Sequence, residues 1–269
     1  MGVQKARGTW LLFTDADTWH QPTALRISLA LAAEKQADML TLGPKQELFT
    51  FWERVMMPLA YAATSIRFPI RRVNNPRSRV ASANGQYILI RRASYEALGG
   101  YHRRDLRGAI LDDIELGRVL KGNGFRLHFV DGRDLLHVRM YSGLSEAWQG
   151  WMKNAFLASE GGLPGALREL FELPMITMLP FLLPLLALVS GRKRALNVRS
   201  IEISIAAFIE LTVLLIYRTW LNRMLQIRWY YIFTHFLADI LFEGILARSM
   251  WRVLTGKGLT WRNREYHDL

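Results

Sequence analysis

Asp15-Ala16-Asp17 places two carboxylates at i and i+2 directly after the apolar run Trp10-Leu11-Leu12-Phe13 and Thr14. At a strand end, with a small residue between them, both can offer hard oxygens to one Mg²⁺ or Mn²⁺. An ion held there would bridge a diphosphate. A second pair, Asp112-Asp113, opens a helical pattern after Leu111. Transfer of a group to an alcohol needs a base for the hydroxyl proton, and a carboxylate at a helix entrance facing a cleft suits that task. Either pair taken alone is served as well by helix capping, which also places acidic residues at helix starts. A third constellation is Trp148-Gln149-Gly150-Trp151-Met152-Lys153-Asn154. A sugar ring or a lipid can stack on the Trp151 indole, and Lys153 could neutralise a leaving diphosphate. A tryptophan-anchored interfacial helix is the other reading of that stretch. His20, His102, His128 and His137 have no metal-ligand spacing. His102 stands out because it follows Gly99-Gly100-Tyr101.

These residues need elements to hold them. The run 10–13 reads as a buried strand ending in acidic residues, followed by an amphipathic helix over 22–35 and a strand over 38–42. Residues 47–66, rich in aromatics and methionine, read as one long helix or two short ones. Residues 69–79 form a basic loop with Asn74-Asn75-Pro76 as its turn signal. A strand over 87–90 leads to a short helix over 93–98 that Gly99-Gly100 would close. A helix over 112–121 carries the second acidic pair in its first turn, a strand covers 126–130, and an amphipathic helix covers 145–157.

The chain has 269 residues, enough for a sizeable core, and no cysteine, which excludes structural disulfides and zinc-finger spacing. Its formal net charge is +12. The basic residues cluster beside apolar runs, as in Arg192-Lys193-Arg194 and in the stretch 248–264. That pattern points to a membrane surface rather than to nucleic acid. Three apolar runs fill the last third: 173–189 with three prolines, 201–217 and 229–246, each near the lower limit for a membrane span. The flanks 192–199, 218–228 and 248–264 are all basic. A first run that only dips into the bilayer, followed by a hairpin of the other two, would keep the catalytic part, the 192–199 stretch and the tail on the cytoplasmic side. Three plain spans are the alternative.

The ordered set Phe13-Thr14-Asp15-Ala16-Asp17, Gly85-Gln86-Tyr87-Ile88-Leu89-Ile90-Arg91-Arg92, Leu98-Gly99-Gly100-Tyr101 and Asp112-Asp113-Ile114-Glu115-Leu116-Gly117 resembles family 2 glycosyltransferases of the GT-A fold. The closing Thr260-Trp261-Arg262-Asn263-Arg264-Glu265-Tyr266 resembles the tail of their membrane-bound ceramide-glucosyltransferase-like and hopanoid- or carotenoid-associated members. The resemblance implies an α/β, Rossmann-like sandwich with a mixed sheet, followed by a C-terminal helical membrane region. It implies a partial catalytic domain over 1–143, an interfacial segment over 144–172, a membrane region over 173–247 and a basic cytoplasmic tail over 248–269. Asp15 and Asp17 would hold the metal and the donor diphosphate, and Asp113 would be the base with Asp112 beside it. Gly85 and Gln86 would line the acceptor side. The reaction would be direct displacement with inversion, from a nucleotide-sugar to a lipid acceptor in the bilayer. The family's Q-x-x-R-W signature is altered, since Met152 and Lys153 follow Gln149 where Arg and Trp are expected. The change argues for a single-transfer lipid enzyme over a processive polysaccharide synthase. The family also places a nucleotide-binding half, roughly 60–90 residues, before the D-x-D motif. Only about a dozen residues precede Asp15 here, so the first strands are expected to be missing and a catalytically inactive remnant is the alternative function.

Overall fold

The computed structural model describes residues 2–103, 106, 109, 111–159, 162–183, 198–257, 259–261 and 264–266. The chain divides into two compact units, 1–47 with 63–140, and 48–62 with 141–269.

Along the chain the first unit contributes α1 (Gly2–Lys5), β1 (Trp10–Thr14), β2 (Thr18–His20), α2 (Ala24–Glu34), β3 (Met39–Gly43) and β4 (Lys45–Gln46). The helix α3 (Phe51–Arg67) carries the chain out of the second unit and back into the first. Then follow α4 (Ile70–Val73), β5 (Tyr87–Arg91), α5 (Arg92–Ala97), α6 (Asp112–Gly122), β6 (Leu127–Asp131) and β7 (Leu136–Val138). The main sheet runs β1-β5-β3-β6, antiparallel except for the parallel pair β3/β6. A smaller sheet runs β2-β7-β4. A mixed α/β architecture is therefore present, as the motif order implied.

The two-residue period of a strand assigns the faces. Ile88 and Ile90 of β5 join Leu11, Met39, Leu127 and the α6 residues Leu116, Val119 and Leu120 in one core cluster. Tyr87 and Leu89 point the other way and pack with Leu40, Leu42, Leu136 and Ala32 of α2. The sheet is thus buried on both faces, which explains the near-continuous apolar runs in β3 and β5. The α6 residues Leu116, Val119 and Leu120 are spaced three and four apart, the stripe a helix needs to lie on a sheet. Gly117 on the same face brings α6 against the 82–83 backbone. An added Cβ there would sit 3.4 Å from the Ala83 nitrogen.

The 69–79 stretch is less of a free loop than its composition predicts. It contains α4, and Lys121 Nζ donates to the carbonyls of Val73, Asn75 and Val80 at 2.8, 3.0 and 2.7 Å. Burial lowers the pKa of that ammonium. One cation thereby ties the basic segment to the C-terminal end of α6. The strands of the small sheet, at two or three residues each, are too short to show any periodicity in sequence.

The second unit is helical, with α7 (Leu144–Ala158), α8 (Gly162–Thr177), α9 (Val198–Met224) and α10 (His235–Leu254), and ends in a hairpin of β8 (Leu259–Trp261) and β9 (Arg264–Tyr266). α7 docks on α10: Ser249 Oγ donates to the Met152 carbonyl at 2.7 Å and accepts from the Phe156 N–H at 3.2 Å. α9 closes with Gln226 in the left-handed region at φ 57°, and the Ile227 N–H returns to the Asn222 carbonyl at 2.7 Å. These bonds satisfy carbonyls that a helix end would otherwise leave open. Of the apolar runs, 201–217 lies within α9, and 229–246 spans a 3₁₀ turn (Trp229–Thr234) and much of α10. The run 173–189 is described only to residue 183, and Arg192-Lys193-Arg194 lies outside the described residues.

Pro58 sits inside α3 and has no N–H to offer the Arg54 carbonyl. Arg218 of α9 fills that gap, with Nη2 3.4 Å from the Arg54 oxygen and 3.2 Å from that of Val55. In sequence Arg218 reads as the first of a basic flank. In the fold it is wholly buried.

Candidate active site

β1 delivers Asp15 and Asp17, and the turn between them carries the chain from the large sheet to the small one. Hydroxyls brace that turn. Thr18 Oγ1 donates to the Asp15 carbonyl at 2.8 Å, and Thr14 Oγ1 donates to the Gln86 carbonyl at 3.0 Å. The two hydroxyls stand 2.9 Å apart, and His20 Nε2 lies within hydrogen-bond distance of both, 2.9 Å from Thr14 Oγ1 and 3.1 Å from Thr18 Oγ1. Desolvation lowers the His20 pKa. In sequence His20 has no metal-ligand spacing. Only the tertiary contacts place it under the D-x-D turn.

Gly85 and Gln86 arrive on the strand next to β1, with Tyr87 paired to Thr14. Asn84 shapes their loop: its Nδ2 donates to the Leu42 carbonyl at 2.9 Å and lies 3.2 Å from Gln86 Oε1. Gln86 is only 8% exposed, so it serves chiefly as part of this brace. The Gly85 N–H donates to Asp113 Oδ2 at 2.9 Å, and Asp113 Oδ1 accepts from the Ile114 N–H at 2.8 Å. The first turn of α6 is thereby fastened to the end of the β1/β5 pair. Asp113 is half-buried, and Asp112 beside it is exposed, as is Asp15. Asp17 is half-buried, with Oδ1 withdrawn from solvent.

Tyr101 packs beside the strand that leads into the D-x-D turn. Its ring packs edge-on to Phe13 at 5.6 Å, and its N–H donates to the Tyr95 hydroxyl at 3.0 Å. Burial pushes the Tyr101 phenol up, and the carboxylates of Asp112, Asp113 and Asp15 push it further. Gly100 makes the approach possible, with φ 54° and no room for a Cβ, which would fall 2.4 Å from the Tyr95 ring. The sequence singled out His102 here. Its side chain is exposed, and it is the tyrosine before it that packs inward on Phe13.

Trp151 and Lys153 belong to the second unit, on α7. The Trp151 ring packs against Phe242 at 5.8 Å and Tyr141 at 6.3 Å, and Lys153 is half-buried. The aromatic face of α7 is used, at least at Trp151, for packing onto α10.

Among the described residues no three His, Asp or Glu side chains gather as a complete metal cage. Two carboxylate residues with hard oxygens still fit Mg²⁺ or Mn²⁺, which bind through one or two carboxylates plus substrate phosphates. No curated protein matches the chain. The family model described as glycosyltransferase-like family 2 matches residues 1–154, more than half of it. That match covers β1 with its D-x-D turn, the Gly85-Gln86 loop and the acidic helix start, so the chain belongs to the glycosyltransferase-like family 2.

Proposed function

We propose that this protein is an inverting glycosyltransferase, moving a sugar from a nucleotide-sugar to a hydroxyl of a lipid-like acceptor at a membrane. The observation that carries the reading is the hydrogen bond from the Gly85 N–H to Asp113 Oδ2, next to the Tyr87–Thr14 pairing that leads into the D-x-D turn. In this reading Asp113 accepts the proton of the acceptor hydroxyl. The acceptor oxygen bonds to the anomeric carbon from the face opposite the leaving group, and the C–O bond to the diphosphate breaks, its electron pair leaving with the nucleoside diphosphate. The backbone N–H groups of Gly85 and Ile114 hold the carboxylate in place for that task. Asp15 and Asp17 would hold a divalent cation, which when bound neutralises charge on the leaving diphosphate. Gly85, Gln86 and His102 are the residues this reading gives to the acceptor side.

Support for a membrane setting comes from α9 and α10. Ser204–Met224 and Trp229–Leu254 are long and apolar enough to cross a bilayer, and only 17% and 33% of their apolar windows are buried. A core helix of a soluble protein would hide these residues. Here Ile205, Phe208, Ile209, Val213 and Ile216 are exposed. Hydrocarbon is the surrounding in which such a surface is stable.

The test is sugar transfer by the chain in lipid–detergent micelles, with a panel of labelled nucleotide-sugars and membrane lipid extract. Label should enter the organic phase, fall on chelation of divalent cations, and fall with Asp17→Asn. Transfer that is indifferent to both, or none from any donor, would defeat the reading.

A further inference from the structure

The basic stretch that Lys121 ties to α6 keeps its charge on the outside of the fold. Between Glu53 and Glu96 the chain has no acidic residue, and Arg67, Arg71, Arg72, Arg77 and Arg79 fall in that interval. The segment is fastened from within. Val73 is 1% exposed, and the Asn74 amide pairs both ways with the backbone of β6, donating to the Phe129 carbonyl at 2.9 Å and accepting from the Phe129 N–H at 2.7 Å. Lys121 Nζ reaches the Arg72 carbonyl at 3.3 Å as well as that of Val80 at 2.7 Å, so both ends of the loop close on one ammonium. These bonds use backbone groups and the Asn74 amide, while Arg71, Arg72, Arg77 and Arg79 are exposed. The ion pairs printed by the fold engage other cations, so among the described residues no carboxylate is paired with these four. Two large aliphatic side chains flank them. Ile66, in the last turn of α3, is 73% exposed, and Ile70, which opens α4, is 48% exposed. A braced backbone thus carries four outward cations beside two outward isoleucines.

We propose that the 66–79 surface rests on an anionic lipid bilayer, with Arg71, Arg72, Arg77 and Arg79 among the lipid phosphates and Ile66 and Ile70 at the boundary with the acyl chains. The inference rests on the membrane setting proposed above and not on the transfer chemistry. Charge selects the sign of the partner, because cations without offsetting carboxylates attract an anionic surface. The isoleucines select a bilayer over nucleic acid. A surface for single-stranded nucleic acid sets aromatic rings among its cations to stack the bases. The one aromatic ring of residues 66–79, Phe68, packs instead against the core cluster. Exposed aliphatic groups gain nothing from a phosphate backbone, and they leave water when a basic segment settles into the headgroup region. The bracing matters too. With the backbone already fixed, only the side chains lose freedom when the four cations meet the surface.

The experiment uses the full chain in lipid–detergent micelles with photoactivatable phosphatidylglycerol or phosphatidylcholine, each carrying its reactive group near the head. Labelling is read peptide by peptide, because the basic stretch 248–264 also attracts anionic lipid. Phosphatidylglycerol should label 64–80 about tenfold or more above phosphatidylcholine. Arg71→Gln, Arg72→Gln, Arg77→Gln and Arg79→Gln together should bring it down to the phosphatidylcholine level, since each arginine near a bilayer contributes about fivefold. All four positions are exposed, so the melting temperature should not change. Lysine at the same four positions should keep most of the labelling, because the attraction is to charge rather than to a bidentate geometry. Labelling of 204–254 by both lipids alike reports on the membrane setting, so its failure shows there, separately from the contrast at 64–80 that decides this proposal. Equal labelling of 64–80 by the two lipids, labelling that survives the glutamine changes, or loss with lysine as complete as with glutamine would each overturn it. So would a short single-stranded RNA that abolishes the lipid labelling when equimolar with the protein, which would assign the patch to nucleic acid.

Discussion

Asp113→Asn separates the chemical from the structural role of the acidic helix start. In the parent chain both carboxylate oxygens accept from backbone N–H groups, Gly85 at 2.9 Å and Ile114 at 2.8 Å. An asparagine has one oxygen, so in either orientation its NH₂ faces one of those donors. Loss of one hydrogen bond to a half-buried charged group costs about 1–2 kcal/mol of stability. A domain with an ordinary margin of roughly 5 kcal/mol or more would remain almost wholly folded. Loss of a general base lowers turnover by about 10²–10⁴, which is about 3–5 kcal/mol on the barrier. The two effects are therefore separable by measuring thermal unfolding and transfer rate on the same preparation. Asp112→Asn, at an exposed position, should stay within about tenfold of the parent rate. The reasoning is refuted if Asp113→Asn keeps more than about a tenth of the parent turnover, or if Asp112→Asn loses as much as Asp113→Asn.

Three further outcomes are expected. Gly100→Ala should destabilise the chain by about 1–3 kcal/mol, because the new Cβ would meet the Tyr95 ring at 2.4 Å from a backbone at φ 54°, and a thermal melt reads the loss directly. Arg218→Met should cost less in a Pro58→Ala background than in the parent, since alanine restores an N–H for the Arg54 carbonyl. A double-mutant cycle should show coupling of about 0.5–3 kcal/mol, and strict additivity would mean that the arginine does not cap the kink. Desolvation lowers the folded-state pKa of His20, so this residue contributes stability that is present above its unfolded pKa of about 6.5. As pH falls below that value the unfolded state takes up the proton first, so stability declines. Comparing melts at pH 7.5 and 5.5, on the order of one unit either side of that pKa, should show a smaller acid-induced drop in His20→Gln than in the parent.

Much of the first unit could be read from local pattern. The apolar run ending in Asp15-Ala16-Asp17 is β1 and its turn, the stripe Leu116, Val119 and Leu120 is the buried face of α6, and Gly99 closes α5 in the left-handed region at φ 78°. The family match rests on the same local signals in order. Signals of this kind survive without the fold because helix and strand periods, and the backbone freedom of glycine, act over a few residues.

What the sequence could not supply depends on residues far apart in the chain. Gly85 meets Asp113 across 28 positions, and no spacing rule links them. The sequence singles out His102, but which of the two neighbours packs inward on Phe13 depends on the 3₁₀ turn at Gly100–His102 and the room left by Gly100. Arg218 reads as a flank charge in sequence and is a buried plug in the fold, since its environment comes from a proline about 160 residues earlier. Composition and period therefore set which elements form and which face of each is apolar. Only the packed chain decides which polar groups meet, because hydrogen bonds and charges act over a few ångströms and depend on geometry the linear order does not carry.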